Sequence, residues 1–115
     1  MLEELNINEN DITTLAPISN LLSLRKLNAE KNMIDDLNPL KKLKKLTQLN
    51  LSENKISDVS ELENLRQIST LNLTKNQIRN VKPLRDLCNL MSLGLSGNPL
   101  DEEDYELFPR SLRIE

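Results

Sequence analysis

Leu2, Leu24, Leu46, Ile68 and Leu90 each open the same phrase, and each lies 22 residues after the one before it. A fixed period of this length constrains the fold more than any local signal, because the chain must be an array of like units. The phrase is Leu-x-x-Leu-x-Leu-x-x-Asn-x-Ile, plainest in the stretch Leu46-Thr47-Gln48-Leu49-Asn50-Leu51-Ser52-Glu53-Asn54-Lys55-Ile56. Its fourth column is Leu5, Leu27, Leu49, Leu71, Leu93, and its sixth is Ile7, Ala29, Leu51, Leu73, Leu95. The ninth is always Asn: Asn10, Asn32, Asn54, Asn76, Asn98. Apolar Leu15, Leu37, Val59 and Val81 follow, then Pro17, Pro39, Glu61 and Pro83, and Leu21, Leu43, Leu65 and Leu87 close the units.

The fourth and sixth residues alternate with polar neighbours, the period of a short strand with one buried face. One unit cannot bury that face alone, so each lays its strand beside the next and the leucines merge into a shared core. The same turn and return intervene each time, so the strands run parallel. The ninth-column Asn stands where the chain turns inward, and its amide can both donate to and accept from backbone groups left without partners there. The recurrent Pro favours an extended residue before it and a tight turn after it, and the short apolar pair behind suits a 3₁₀ turn better than a full helix.

These columns resemble the leucine-rich repeats of the 22-residue subfamily, shared by the nuclear regulatory subunit of type-1 protein phosphatase and the bacterial internalins. The match runs from Leu2 to about Leu100. The resemblance implies an α/β fold: a right-handed horseshoe-shaped solenoid of about five repeats, with a parallel sheet on its concave side and 3₁₀ or irregular turns on its convex side. It further implies a concave face that meets a protein partner. The units are expected at 2–23, 24–45, 46–67, 68–89 and 90–111, all within one domain spanning 1–115.

Composition removes most chemistry. The chain has no His, the usual general base near neutral pH and the commonest metal ligand. Cys88 is alone, which excludes a disulfide, zinc or iron–sulfur site within one chain, and it reads as a partly buried small residue. Gly-rich phosphate loops and Gly-x-Ser-x-Gly elbows are missing. The expectation is a protein without enzymatic activity, cofactor or metal. A net charge of −3 argues against general attraction to nucleic acid or acidic membranes. Lys41, Lys42, Lys44 and Lys45 surround Leu43 in one unit only, so they read as a solvated edge; tracking a phosphate backbone needs a stripe.

The ends differ from the middle. No basic and apolar leader precedes the first repeat, so an intracellular location is expected if Met1 is the native start. Leu2, Leu5 and Ile7 are expected to present an uncapped apolar edge, a site for self-association that could close as a homodimer through the N-terminal repeat. At the other end a cap is expected over about 99–115. The acids of Asp101-Glu102-Glu103-Asp104 suit the positive end of a short helix, and Leu112-Arg113-Ile114 has the fourth-and-sixth spacing of a last strand.

Four columns should face outward on the concave side: the third (Glu4, Lys26, Gln48, Thr70, Ser92), the fifth (Asn6, Asn28, Asn50, Asn72, Gly94), the seventh (Asn8, Glu30, Ser52, Thr74, Ser96) and the eighth (Glu9, Lys31, Glu53, Lys75, Gly97). The eighth alternates acid and base, which at a strand spacing of about 4.8 Å sets each Glu beside a Lys and lets the charges satisfy one another. The fifth is an outward Asn ladder whose members should matter little to stability. The expected partner-binding residues are Glu4, Asn6, Lys26, Asn28, Glu30, Gln48, Asn50, Glu53, Thr70, Asn72 and Lys75. The expected function is that of a protein-interaction module. The alternative is a structural piece, or a fragment of a longer array, that associates through its N-terminal repeat.

Overall fold

The computed structural model describes all 115 residues. Six parallel strands lie in sequence order in one sheet: β1 (Glu4–Asn6), β2 (Lys26–Asn28), β3 (Gln48–Asn50), β4 (Thr70–Asn72), β5 (Ser92–Gly94) and β6 (Arg113–Ile114). Four 3₁₀ turns, Ala16–Ile18, Asn38–Leu40, Ser60–Leu62 and Lys82–Leu84, stack on the opposite side. The array measures 39 × 26 × 18 Å. Register follows the period: Leu5 lies against Leu27, Leu27 against Leu49, and Leu49 against Leu71.

Twenty-five buried apolar residues form one continuous cluster between sheet and turns. Leu24, Leu40, Leu43, Leu46, Leu51 and Leu62 have no exposed surface. The 3₁₀ turns start from a side chain rather than from propensity alone. Thr14 Oγ1, Asp36 Oδ1, Asp58 Oδ1 and Asn80 Oδ1 each accept from the backbone N–H two residues on, at 2.9–3.1 Å. That bond to the Ser60 N–H holds the Asp58 carboxyl below its ordinary value of 3.8, because it favours the ionised form. The contribution is present above the ordinary value and is lost as pH falls through the lowered one.

The ninth-column asparagines tie the units together. Asn54 accepts from Ile34 N–H of the preceding unit at 3.0 Å and donates to the carbonyls of Ala29, Leu51 and Ser52 at 3.0–3.1 Å. Asn32, Asn76 and Asn98 repeat this arrangement. Asn10, in the first of these units, stays exposed; its N–H donates to Asn32 Oδ1 and its side chain only to the Asn8 carbonyl.

At the far end α1 (Glu102–Tyr105) carries acids through its first turn, and the Asp104 carboxylate accepts from the Asp101 N–H at 2.9 Å. Phe108 is buried beneath it at 8% exposure. The last strand departs from the expected register: Ile114, read as a sixth-column residue, lies against Leu93 of the fourth, one residue short of the repeat. The cap keeps the Asn98 turn but replaces the 3₁₀ return with α1, and Leu112 N–H closes onto the Pro109 carbonyl just before β6. Cys88 is also corrected, from partly buried to exposed. Its column is otherwise Leu22, Lys44 and Arg66, all exposed at the outer edge of the return.

Candidate functional site

The concave face carries a hollow of about 520 Å³ over β1–β4, floored by Leu5, Leu27 and Leu49. Its walls are Glu4, Asn6, Lys26, Asn28, Gln48, Asn50, Thr70 and Asn72, so the fold brings these eight expected residues together. Glu30, Glu53 and Lys75 stand outside it, in the turn beyond the strand ends. The third-column heads Glu4, Lys26, Gln48 and Thr70 are exposed.

The fifth column is not the idle ladder that strict alternation predicts. Each Oδ1 accepts from the backbone N–H two residues on: Asn6 from Asn8, Asn28 from Glu30, Asn50 from Ser52, and Asn72 from Thr74, at 3.1–3.2 Å. Asn28, Asn50 and Asn72 are half-buried as a result. These bonds bend the chain out of the strand. The ladder ends at Gly94, where a Cβ would lie 2.7 Å from Asn72 Oδ1 as that side chain stands.

The eighth column also differs from its expected role. Glu9, Lys31, Glu53 and Lys75 all adopt positive φ, at 55–57°, and Gly97 completes the column at 79°. This left-handed conformation costs ordinary residues about 1 kcal/mol each. It is held by their N–H groups, which donate to the Glu30, Ser52, Thr74 and Ser96 carbonyls of the next unit at 2.8–3.0 Å. The turn also tucks in the seventh side chains; Ser52, expected outward, is buried at 4%. Gly97 was the one letter in the sequence that signalled this conformation.

The expected alternation of neutralised charges is realised only once. Lys31 Nζ lies 3.2 Å from Glu9 Oε1, and that hydrogen bond, followed by the fields of Glu9 and Glu53, raises the lysine above its ordinary 10.5. The contribution holds below that value and is lost as pH rises through the raised one. Glu53 and Lys75, in the same left-handed turn, form no ion pair.

Leu2 is 47% exposed and Met1 fully so, while Leu5 and Ile7 are half-buried. β1 has a neighbour on one side only. Lys41, Lys42, Lys44 and Lys45 are all exposed around buried Leu43. No three His, Cys, Asp or Glu side chains converge as a metal site would require. No helix is long and apolar enough to cross a membrane.

The pattern "Leucine Rich repeats (2 copies)" matches residues 22–64. A search of curated proteins finds no match. Among solved structures, an internalin (inlF) of Listeria monocytogenes superposes with a TM-score of 0.86 at 32% identity, over 96% of this chain and 35% of that one. Internalin C2 of the same organism gives 0.91 at 27% identity, over 98% and 49%. A leucine-rich-repeat protein of Leptospira interrogans gives 0.87 at 32%, over 96% and 30%. The chain thus spans less than half the length of each. Its fold is a leucine-rich-repeat solenoid shared with bacterial internalins, an architecture typical of protein–protein interaction modules.

Proposed function

We propose that the chain is a non-enzymatic interaction module that holds a protein partner on its concave face, through Glu4, Asn6, Lys26, Asn28, Gln48, Asn50, Thr70 and Asn72, with Glu30, Glu53 and Lys75 at the rim. The observation that carries this reading is the hollow itself, walled by polar side chains over Leu5, Leu27 and Leu49, the last two fully buried. A rigid sheet needs no backbone reordering on binding, so the ordering cost is confined to the side chains themselves. The face has no Trp, Tyr or Arg to act as a buried anchor, so hydrogen bonds and shape carry the contact and the affinity is modest.

The test is capture of partners from the source cells by the immobilised intact chain, repeated with Gln48→Trp, which fills the hollow from the middle of the sheet. Loss of the captured protein with an unchanged melting curve supports the reading. Equal capture by the variant rejects the concave face.

A second reading rests on the exposed Met1 and Leu2 beside half-buried Leu5 and Ile7. An open strand edge with apolar side chains pairs readily with another chain, and two copies meeting there would form a closed dimer. Light scattering should then show mass rising with concentration, abolished in Leu5→Lys. A monomer at high concentration removes this reading and leaves the first untouched.

A further inference from the structure

We infer that the fold turns the fifth-column asparagines into a row of hydrogen-bond donors, and that this row takes the main-chain carbonyls of an extended peptide segment. The inference rests on the concave-face reading and names its ligand chemistry.

A ladder of asparagines can be self-sufficient, each Oδ1 accepting from the Nδ2 of its neighbour. Here each Oδ1 commits one of its two lone pairs to its own backbone, in the four bonds from the N–H groups of Asn8, Glu30, Ser52 and Thr74, so no Asn-to-Asn ladder forms. The Nδ2 groups stand on the hollow. That of Asn50 donates to Glu30 Oε1 at 3.0 Å, and those of Asn6, Asn28 and Asn72 meet no acceptor of the chain. The Lys26 ammonium stands beside them without an acid partner. Glu4 puts one carboxylate at the edge of the hollow, but along the fifth column the groups without a partner are donors, and a ligand that brings acceptors satisfies them.

Nucleic acid brings phosphates, but binding it needs a positive stripe or aromatic platforms for the bases, and the hollow has neither. A polypeptide offers a carbonyl with two lone pairs at every residue, whatever its sequence. An extended segment of about five residues would cross the four strands, at about 3.3 Å per residue against about 4.8 Å per strand. A proline-rich segment is the limiting case, since its backbone supplies acceptors and few or no donors.

The experiment titrates a neutral hexaproline, acetylated and amidated at its ends, into the intact ¹⁵N-labelled chain. The side-chain amide signals of Asn6, Asn28 and Asn72 should shift saturably, while those of buried Asn32, Asn54 and Asn76 stay in place. In the double variant Asn28→Asp, Asn72→Asp an oxygen still accepts from the Glu30 and Thr74 N–H groups, so folding is kept while the outward donors are lost. Its Kd for hexaproline should rise at least about tenfold. An unchanged Kd in the folded variant overturns the inference, as does a response to maltohexaose without one to hexaproline. Should the double variant melt early, the amide shifts of the parent chain decide alone. If Gln48→Trp abolishes capture of a partner that the double variant still binds, the donor row fails and the concave-face reading stands.

Discussion

Asn54→Leu is expected to lower unfolding free energy by about 3 kcal/mol in a urea titration. The Asn54 side chain makes four bonds inside the solenoid, and leucine replaces none of them. The Ala29 and Leu51 carbonyls keep a second donor, from Asn32 and Asn76 respectively. The group left unanswered is the N–H of Ile34, a residue with no exposed surface. Asn10→Leu is the control, because the same residue type in the same column makes one exposed bond. Its cost should stay within about 0.5 kcal/mol. Asn50→Ala belongs between them at about 1 kcal/mol, since it loses one turn-forming bond at a half-buried site. Equal losses at positions 10 and 54 would show that the column's bonds to the preceding unit do not hold the array together.

Leu49→Ala should cost about 3 kcal/mol. Leu49 is 1% exposed and lies between Leu27 and Leu71, so the cavity opens onto two inter-unit interfaces at once. Stability in a repeat array is approximately a sum of unit and interface terms, and a residue serving two interfaces weighs double. Leu5→Ala is the matched deletion in β1, half-buried with a neighbour on one side, and should cost less than half as much. Equal penalties for the two would mean that the units are not coupled through the leucine columns.

The period made the architecture legible. Leucines recurring in the fourth and sixth columns specify strand, register and buried face together, and the strand pairs confirm that register from β1 to β5. What alternation could not reveal is the behaviour of side chains that bond to their own backbone. It places Asn6, Asn28, Asn50 and Asn72 outward but is blind to a bond two residues along the chain. The left-handed eighth column was hidden for a related reason: Glu and Lys do not favour positive φ, and only the next unit's carbonyls make it tolerable there. Cys88 was legible by another route, since its column-mates Lys44 and Arg66 are charged and exposed. The shortened last step to Ile114 was not, because the cap that sets it lies outside the repeat.

The most direct measurement sets the two polar faces against each other. The Kd of a captured partner would be determined by calorimetry for Thr70→Arg, in the wall of the hollow, and for Lys44→Glu, on the return edge. Concave recognition predicts at least about a tenfold loss for Thr70→Arg and none for Lys44→Glu, with both variants melting like the parent. Full affinity in Thr70→Arg together with lost binding in Lys44→Glu would contradict it and move the site to the lysine edge.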